Sequence, residues 1–531
     1  MPETPVFSRA AVAAPHHLAS ESGRKVLAEG GNALEAMTAM AATIAVVYPH
    51  MNGIGGDGFW LVREPSGKVR GIEACGFAGA NATIRSYRKL GHDAIPPRGP
   101  QAALTVPGAI GGWTAALEMA KAFGGRLPLD MLLEDAIRLG REGYAVSQSE
   151  GREEAKELEL TKQAPGFLET FYFDGKKPAA GQIRKPVALA ATLEQLARAG
   201  LDDFYRGDVG REIAADWERL GGAVTRRDLE TYRTALREPL ETRIKGATLY
   251  NFPPPTQGLA SLIILGLFSR LNVASAGSFE HLHGLVESTK RALRIRDQVV
   301  TDFDRVTRDP SKYLAAGWLD AEAAKISMRE SAPFPMKPDM GDTIWMGAID
   351  GNGMAVSYIQ SLYWEYGSGC VLPRTGILLQ NRGVSFSLDP LARNPLEPGR
   401  RPFHTLNPPL AVFDDGRMAS YGCMGGDGQP QYQAQVFTRW AMFGETPAAA
   451  VDAPRFLLGK TWGSATTSLK LESRIDESVA RKLESAGQMV ERRDAPYSDD
   501  FGHVGLLVKH PRGRVEAVHD PRSDGPDGAG I

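Results

Sequence analysis

Two long apolar runs, Ile344 to Ile349 and Met354 to Tyr363, flank the turn-forming tetrapeptide Asp350-Gly-Asn-Gly353. That pattern reads as an antiparallel β-hairpin. Immediately before it, Ser331-Ala-Pro-Phe-Pro-Met-Lys-Pro-Asp-Met340 forms a proline-rich linker, so the first strand opens abruptly at Gly341-Asp342-Thr343. The pattern returns at Asn407 to Phe413, Asp414-Asp-Gly416 and Arg417 to Gly422. Gly425-Gly426 and an amphipathic helix around Tyr432 to Phe443 follow, so the C-terminal third alternates sheet and helix.

The preceding part is mainly helical. Leu18 to Glu29 reads as a helix stopped by Gly30-Gly31, with Asn32 placed to cap the next one. In that second helix Ala33, Ala36, Met37, Met40, Ile44 and Val47 form a buried stripe that Pro49 terminates. The apolar stretch from Ala33 to Tyr48 is too short for a bilayer and carries Glu35, Thr38 and Thr43. Gly53-Ile-Gly-Gly-Asp-Gly58 satisfies the letters of a dinucleotide loop, but a helix precedes it and the strand Phe59 to Val62 follows. A phosphate cradle needs the opposite order. From Pro107-Gly108 through Glu150–Lys162 to Arg237 the pattern is helical scaffold. Phe252-Pro-Pro-Pro-Thr-Gln-Gly258 punctuates it, and Phe279 to Asp304 reads as one long amphipathic helix. His281 and His283, two apart on that helix, face different ways and cannot share a metal as an i, i+4 pair does.

Across 531 residues, 61 Lys+Arg nearly cancel 63 Asp+Glu, with no block of like charge to suggest a nucleic-acid partner. Hydrophobic residues at 43% and charged residues at 23% describe a folded chain rather than a disordered one. Cys75, Cys370 and Cys423 are odd in number and far apart, which fits neither a disulfide framework nor a metal pair. With no basic-then-apolar leader visible, the expectation is a cytoplasmic protein without a membrane partner.

Thr343 is the residue with chemical promise. If the Asp342–Thr343 bond is cut by the protein itself, Thr343 gains a free α-amine that can act as base for its own hydroxyl. The pKa of such an amine, about 7.7–8.0, suits a general base near neutrality.

The ordered set Gly30-Gly-Asn-Ala33, Pro49-His50, Gly53-Ile-Gly-Gly-Asp-Gly58-Phe59, Val106-Pro-Gly108, Pro253-Pro-Pro255, Gly341-Asp-Thr343, Gly367-Ser-Gly369, Pro398-Gly-Arg-Arg-Pro402, Gly425-Gly426 and Asp520-Pro-Arg-Ser-Asp-Gly525 resembles the gamma-glutamyltransferase family of N-terminal-nucleophile (Ntn) hydrolases over nearly the whole chain. The resemblance implies an α+β fold, a four-layer αββα sandwich with two central antiparallel sheets. It also implies a precursor that cleaves itself into a large fragment, 1–342, and a small one, 343–531, paired as a heterodimer that can itself dimerise. Thr343 then falls on the nucleophile, Ser361 on the hydroxyl residue that hydrogen-bonds it, and Gly425 and Gly426 on the backbone N–H pair of the oxyanion hole. Tyr363 and Asn381 lie on pocket-lining segments. No metal, nucleotide or flavin cofactor is implied.

The substrate-recognition positions differ from the family pattern. By the resemblance, the arginine that meets a γ-glutamyl α-carboxylate is replaced by Cys75, the carboxylate that meets the α-ammonium by Ser385, a glutamine by Arg382, and a Ser-Ser pair by His404-Thr405. A pocket with Arg382 and His404 and no acidic counterpart suits a small anionic amide lacking an ammonium group. That pattern is closest to the oxamate amidohydrolases of the family. A γ-glutamyl transferase or hydrolase, a cephalosporin-acylase-like amidase and an unprocessed, non-catalytic homologue are the alternatives.

Overall fold

The computed structural model describes residues 2–152, 155–334, 342–459 and 467–531, with backbone alone at 155–157 and 342. Gly341 and most of the proline-rich linker therefore lie outside the described residues. Two seven-stranded sheets dominate. The first runs Ala529–Gly530, Ala11–Ala13, Asp342–Ile349, Ala355–Tyr363, Asp57–Arg63, Val69–Ala74 and Ala235–Arg237. The second runs Val6–Phe7, Val515–Val518, Val504–Lys509, Met418–Cys423, Leu410–Phe413, Ala247–Asn251 and Leu240–Ile244. Every neighbouring pair within these two sheets is antiparallel.

Side-chain alternation along the central strands sorts the core into layers, because successive residues of a strand point to opposite faces. Trp345, Ile349, Ile359, Phe59 and Leu61 meet Leu410, Leu507 and Ala517 between the sheets. Ile344, Met346, Val356, Tyr358, Trp60 and Val62 face the helices His17–Ala28 and Ala33–Val47. On the far side, helices Gly258–Phe268, Phe279–Val299 and Gln429–Phe437 cover the second sheet. The order is helix, sheet, sheet, helix. Both faces of the Ala355–Tyr363 strand are covered, so all of its residues are buried.

The hairpin is pinned at its turn. Asp350 Oδ1 accepts from Asn352 N (2.9 Å) and Met354 N (3.1 Å), while Oδ2 accepts from Ala33 N (3.1 Å) at the start of the second helix. That helix has the cap expected of Asn32. Asn32 Oδ1 accepts from Leu34 N and Glu35 N, both at 3.1 Å, and Glu35 Oε2 accepts from Asn32 N at 2.8 Å. The buried stripe read from the sequence is too narrow, since every residue of Ala33–Val47 is buried. The helix is enclosed by its neighbours as well as by the sheet, and its alanines permit that close approach. Because this cap is buried, Asn32→Ala is expected to cost about 1–2 kcal/mol, read as a lower urea midpoint of the first unfolding transition.

The long helix ends at Val299, five residues short of the Asp304 boundary. Val300 is already extended, and the Asp302 carboxylate is spent on Asp304 N (3.3 Å) and Arg401 N (2.8 Å), which starts a separate 3-10 turn. His281 and His283 are packed side chains. His281 Nε2 lies 2.9 Å from Thr438 Oγ1, and His283 Nε2 lies 3.0 Å from Ser327 O. Among the described residues, no helix is long and apolar enough to cross a membrane.

Candidate active site

Thr343 lies at the start of a central strand on the face turned toward the second sheet, two residues before Trp345, and is fully buried. Its pairing with the neighbouring strand is irregular: Asp342 opposes Tyr363 but Ile344 opposes Gln360, so the register slips at Thr343. A bulge of this kind re-aims a side chain and is common next to active sites. Here the Thr343 hydroxyl donates to Ser361 Oγ at 3.2 Å, and Ser361 Oγ also accepts from Tyr363 N at 2.8 Å.

Tyr363 adopts φ +86°, unusual for a side chain of its size. The guanidinium of Arg382 lies 3.8 Å from the centre of the Tyr363 ring, and Arg382 Nη1 donates to Thr405 Oγ1 at 3.3 Å. Both Tyr363 and Arg382 are buried. The structure thus gathers Thr343, Ser361, Tyr363, Arg382 and Thr405 into one chain of contacts.

Gly425 and Gly426 have φ +115° and +50°, and a Cβ on Gly425 would stand 2.8 Å from the Tyr432 ring. These conformations require glycine. The segment is braced by Gln257, whose Nε2 donates to Gly426 O (2.8 Å) and Thr405 O (2.7 Å). Gln257 is held in turn by buried Arg296, which also donates to Asp427 Oδ1 at 2.6 Å. The Gly425-Gly426 segment and the His404-Thr405 segment therefore share one bracket, and neither Gln257 nor Arg296 carries a local sequence signal that marks it as such.

Two candidates are occupied otherwise. Ser385 Oγ donates to the carbonyls of Arg382 and Phe403, each at 3.1 Å, closing the 3-10 turn Arg382–Ser385. Asn381 accepts from Trp364 N (3.1 Å) and donates to Pro97 O (2.9 Å), tying the loop after the strand to the segment around Pro97. Both set the position of Arg382 through the backbone, and their polar atoms are spent on main chain. Cys75 is buried, and burial raises its thiol well above the usual range, leaving it neutral.

An acid that the sequence reading did not single out lies beside these residues. Asp57 opposes Ser361 across the strand pair and is fully buried on the same face. Its Oδ1 accepts from Gly76 N and Gly108 N, both at 3.0 Å, and its Oδ2 lies 3.5 Å from His404 Nε2. Burial pushes the Asp57 carboxyl up to about 7, opposed by its backbone donors, by Gln380 and by the charge of Arg382. His404 is held well below the imidazole range by burial and then by Arg382, so its ring is neutral. The glycine run around Asp57 serves packing. A Cβ on Gly55 would meet Leu378 O at 2.0 Å, and one on Gly56 would meet Ser361 O at 2.1 Å. An acid opening an otherwise apolar strand, Asp57-Gly-Phe-Trp-Leu-Val62, is the signal that marks the position.

Facing antiparallel sheets between helical layers, with a threonine at the head of a central strand, define an Ntn-hydrolase. The gamma-glutamyltranspeptidase family model matches residues 19–529, and the chain belongs to that family of enzymes. It is 47% identical to the oxamate amidohydrolase proenzyme of Klebsiella pneumoniae, over 96% of this chain and 97% of that one. It is 36% identical to a glutathione hydrolase-like proenzyme of Bacillus subtilis, over 99% of both. The crystal structure of cephalosporin acylase from Bacillus halodurans superposes with a TM-score of 0.90 at 30% identity, covering 100% of this chain and 97% of that one.

Proposed function

We propose that the chain is the precursor of an N-terminal-threonine amidohydrolase that cuts itself between Asp342 and Thr343 and hydrolyses a small anionic amide of the oxamate type. The observation that carries the substrate class is the buried guanidinium of Arg382, stacked on Tyr363 and bonded to Thr405, in the same contact chain as the Thr343 hydroxyl. A guanidinium presents a planar fork of donors that matches a carboxylate, so a substrate carboxylate is a suitable partner for it. The relative at 47% identity, named for oxamate hydrolysis, supports the same reading.

In the cleaved enzyme, Thr343 Oγ attacks the amide carbon while its own amine takes the hydroxyl proton. The oxyanion is met by the Gly425 and Gly426 N–H groups. The amine returns the proton to the departing nitrogen, ammonia leaves, and water cleaves the resulting ester by the same route in reverse. In the uncut chain the Thr343 hydroxyl donates to Ser361 Oγ; in the cleaved enzyme that hydrogen turns to the amine, and the Ser361 hydroxyl donates to Thr343 Oγ in its place, keeping the nucleophile aimed. The net reaction converts oxamate and water into oxalate and ammonium. Large and small fragments, 1–342 and 343–531, remain together because the first sheet interleaves Asp342–Ile349 and Ala355–Tyr363 between Ala11–Ala13 and Asp57–Arg63.

Asp57 keeps the γ-glutamyl alternative worth a direct control, since an ionised carboxylate there would suit an ammonium group. Ammonia release from oxamate and anilide release from a γ-glutamyl anilide, measured on the same two-band preparation, decide between them. Oxamate turnover with a negligible anilide rate is expected; the reverse pattern would discard the anionic-amide reading.

A further inference from the structure

The Gly425-Gly426 and His404-Thr405 segments both end on the fully buried side chain of Gln257. Its Nε2 donates to Gly426 O at 2.8 Å and to Thr405 O at 2.7 Å, so both amide hydrogens are spent, one on each segment. The amide has no choice of direction. Arg296 carries donors only, and its Nη1 reaches Gln257 Oε1 at 2.9 Å, which turns the amide hydrogens toward the two carbonyls. Main-chain bonds add to the grip: Gln257 N donates to His404 O (3.0 Å) and His404 N to Pro255 O (2.9 Å). Asn407 Nδ2 also donates to Thr405 O, at 3.0 Å, but the same nitrogen then reaches Gln429 Oε1, in the helix beyond the glycine pair. Gln257 ties the two segments directly.

We propose that Gln257 is a positioning residue that fixes how far the oxyanion donors stand from the carboxylate-binding end of the pocket, and so selects the length of acyl group that is hydrolysed. This rests on the anionic-amide reading given above, in which Gly425 and Gly426 meet the oxyanion and Arg382 meets the carboxylate. Thr405 connects the tie to Arg382: its carbonyl receives Gln257, and its hydroxyl receives Arg382 Nη1 at 3.3 Å. Gln257 acts through these two segments and not on the substrate itself.

A short, stiff substrate is the one most sensitive to such a spacing. In oxamate the amide carbon is bonded directly to the carboxylate carbon, so the two groups cannot move apart to follow a displaced pocket. Malonamate and succinamate insert one and two methylene groups, and rotation about the added bonds adjusts the span. Loss of the tie therefore penalises oxamate first. A displacement of about 1 Å that begins away from the chemistry can cost about 100-fold in rate. The surrounding fold does not hang on this side chain, because Asn407 keeps its own bond to Thr405 O and the main-chain bonds between Pro255–Gln257 and His404 remain.

The test measures ammonia release from oxamate, malonamate and succinamate by wild type and by Gln257→Met, which fills a similar volume but cannot donate to the two carbonyls. Ratios between substrates within one preparation do not depend on how much of the protein is active. Wild type should favour oxamate over both longer acids. Q257M should still be cut at Asp342–Thr343, should lose about 100-fold in kcat/KM for oxamate, and should lose far less for the longer acids, so that the preference collapses. A wild type that does not favour oxamate, a proportional loss for all three acids in Q257M, unchanged oxamate turnover, or a Q257M chain that stays uncut each overturns the assignment. Where wild type hydrolyses oxamate alone, the kinetic split decides: kcat per mole of processed fragment should fall in Q257M with KM nearly unchanged, since Arg382 keeps its own hold on the carboxylate, and a loss carried by KM overturns the assignment. If wild type hydrolyses none of the three, the substrate reading has failed and the assignment falls with it, whereas oxamate turnover with an unmoved preference sinks the assignment alone.

Discussion

Thr343→Ala is expected to leave the chain as one 57.3 kDa polypeptide and to eliminate amide hydrolysis. Two separate losses converge on this substitution. In the proposed mechanism, scission at Asp342–Thr343 uses the Thr343 hydroxyl to attack the preceding carbonyl, and turnover uses the same oxygen to attack the substrate. Removing a nucleophile that works as a unit with its base typically costs about 10⁵-fold or more. Thr343→Ser separates chemistry from architecture: it keeps the oxygen, so processing and turnover should both survive at reduced rate. The missing methyl loosens a side chain that is fully buried and aimed at Ser361 through a 3.2 Å hydrogen bond. Denaturing gels and N-terminal sequencing read the first effect, ammonia release the second. A Thr343→Ala preparation that still yields a fragment beginning at position 343, or that still releases ammonia, would remove the nucleophile assignment.

How far the sequence exposes this arrangement depends on the range of the interaction. The hairpin and the Asn32 cap are legible because their determinants sit within a few residues: a turn sequence between apolar runs, and an N-cap three positions before Glu35. The end of the long helix is not, because Asp302 is claimed by the backbone of Arg401, a contact that periodicity cannot register. At the site, Thr343, Ser361 and the glycine pair can be placed by resemblance to a family. Ser385 and Asn381 are placed by the same resemblance, but the hydrogen bonds they make to backbone, which fix the loop around Arg382, join segments far apart in sequence and have no local signal. Asp57 reads as one letter of a glycine run. Its importance comes from being opposite Ser361 in the sheet and 3.5 Å from His404, relations between residues hundreds of positions apart. Local pattern recovers the elements; the contacts among Thr343, Ser361, Asp57 and His404 exist only after strands from both sides of position 342 are interleaved.

The contacts of Arg382 set the size of the second large effect, expected for Arg382→Gln. Glutamine preserves some polarity toward Thr405 but removes the charge Arg382 brings to the pocket, together with its stacking on Tyr363. Truncating one partner of a buried charge pair costs roughly 2–5 kcal/mol, which at about 1.4 kcal/mol per decade corresponds to a loss of roughly 30- to several-thousandfold in kcat/KM for oxamate. The loss should be much smaller for oxamide, which has no carboxylate to match. Arg382→Lys keeps the charge but not the planar surface that lies 3.8 Å from the Tyr363 ring, so it should recover part of the oxamate activity and not all of it. Processing is the internal control. Because scission involves the Thr343 hydroxyl and the main chain, the Arg382 variants should still appear as two bands. Equal losses for oxamate and oxamide would show that Arg382 holds the pocket's shape, whereas a loss confined to oxamate assigns it to the substrate carboxylate.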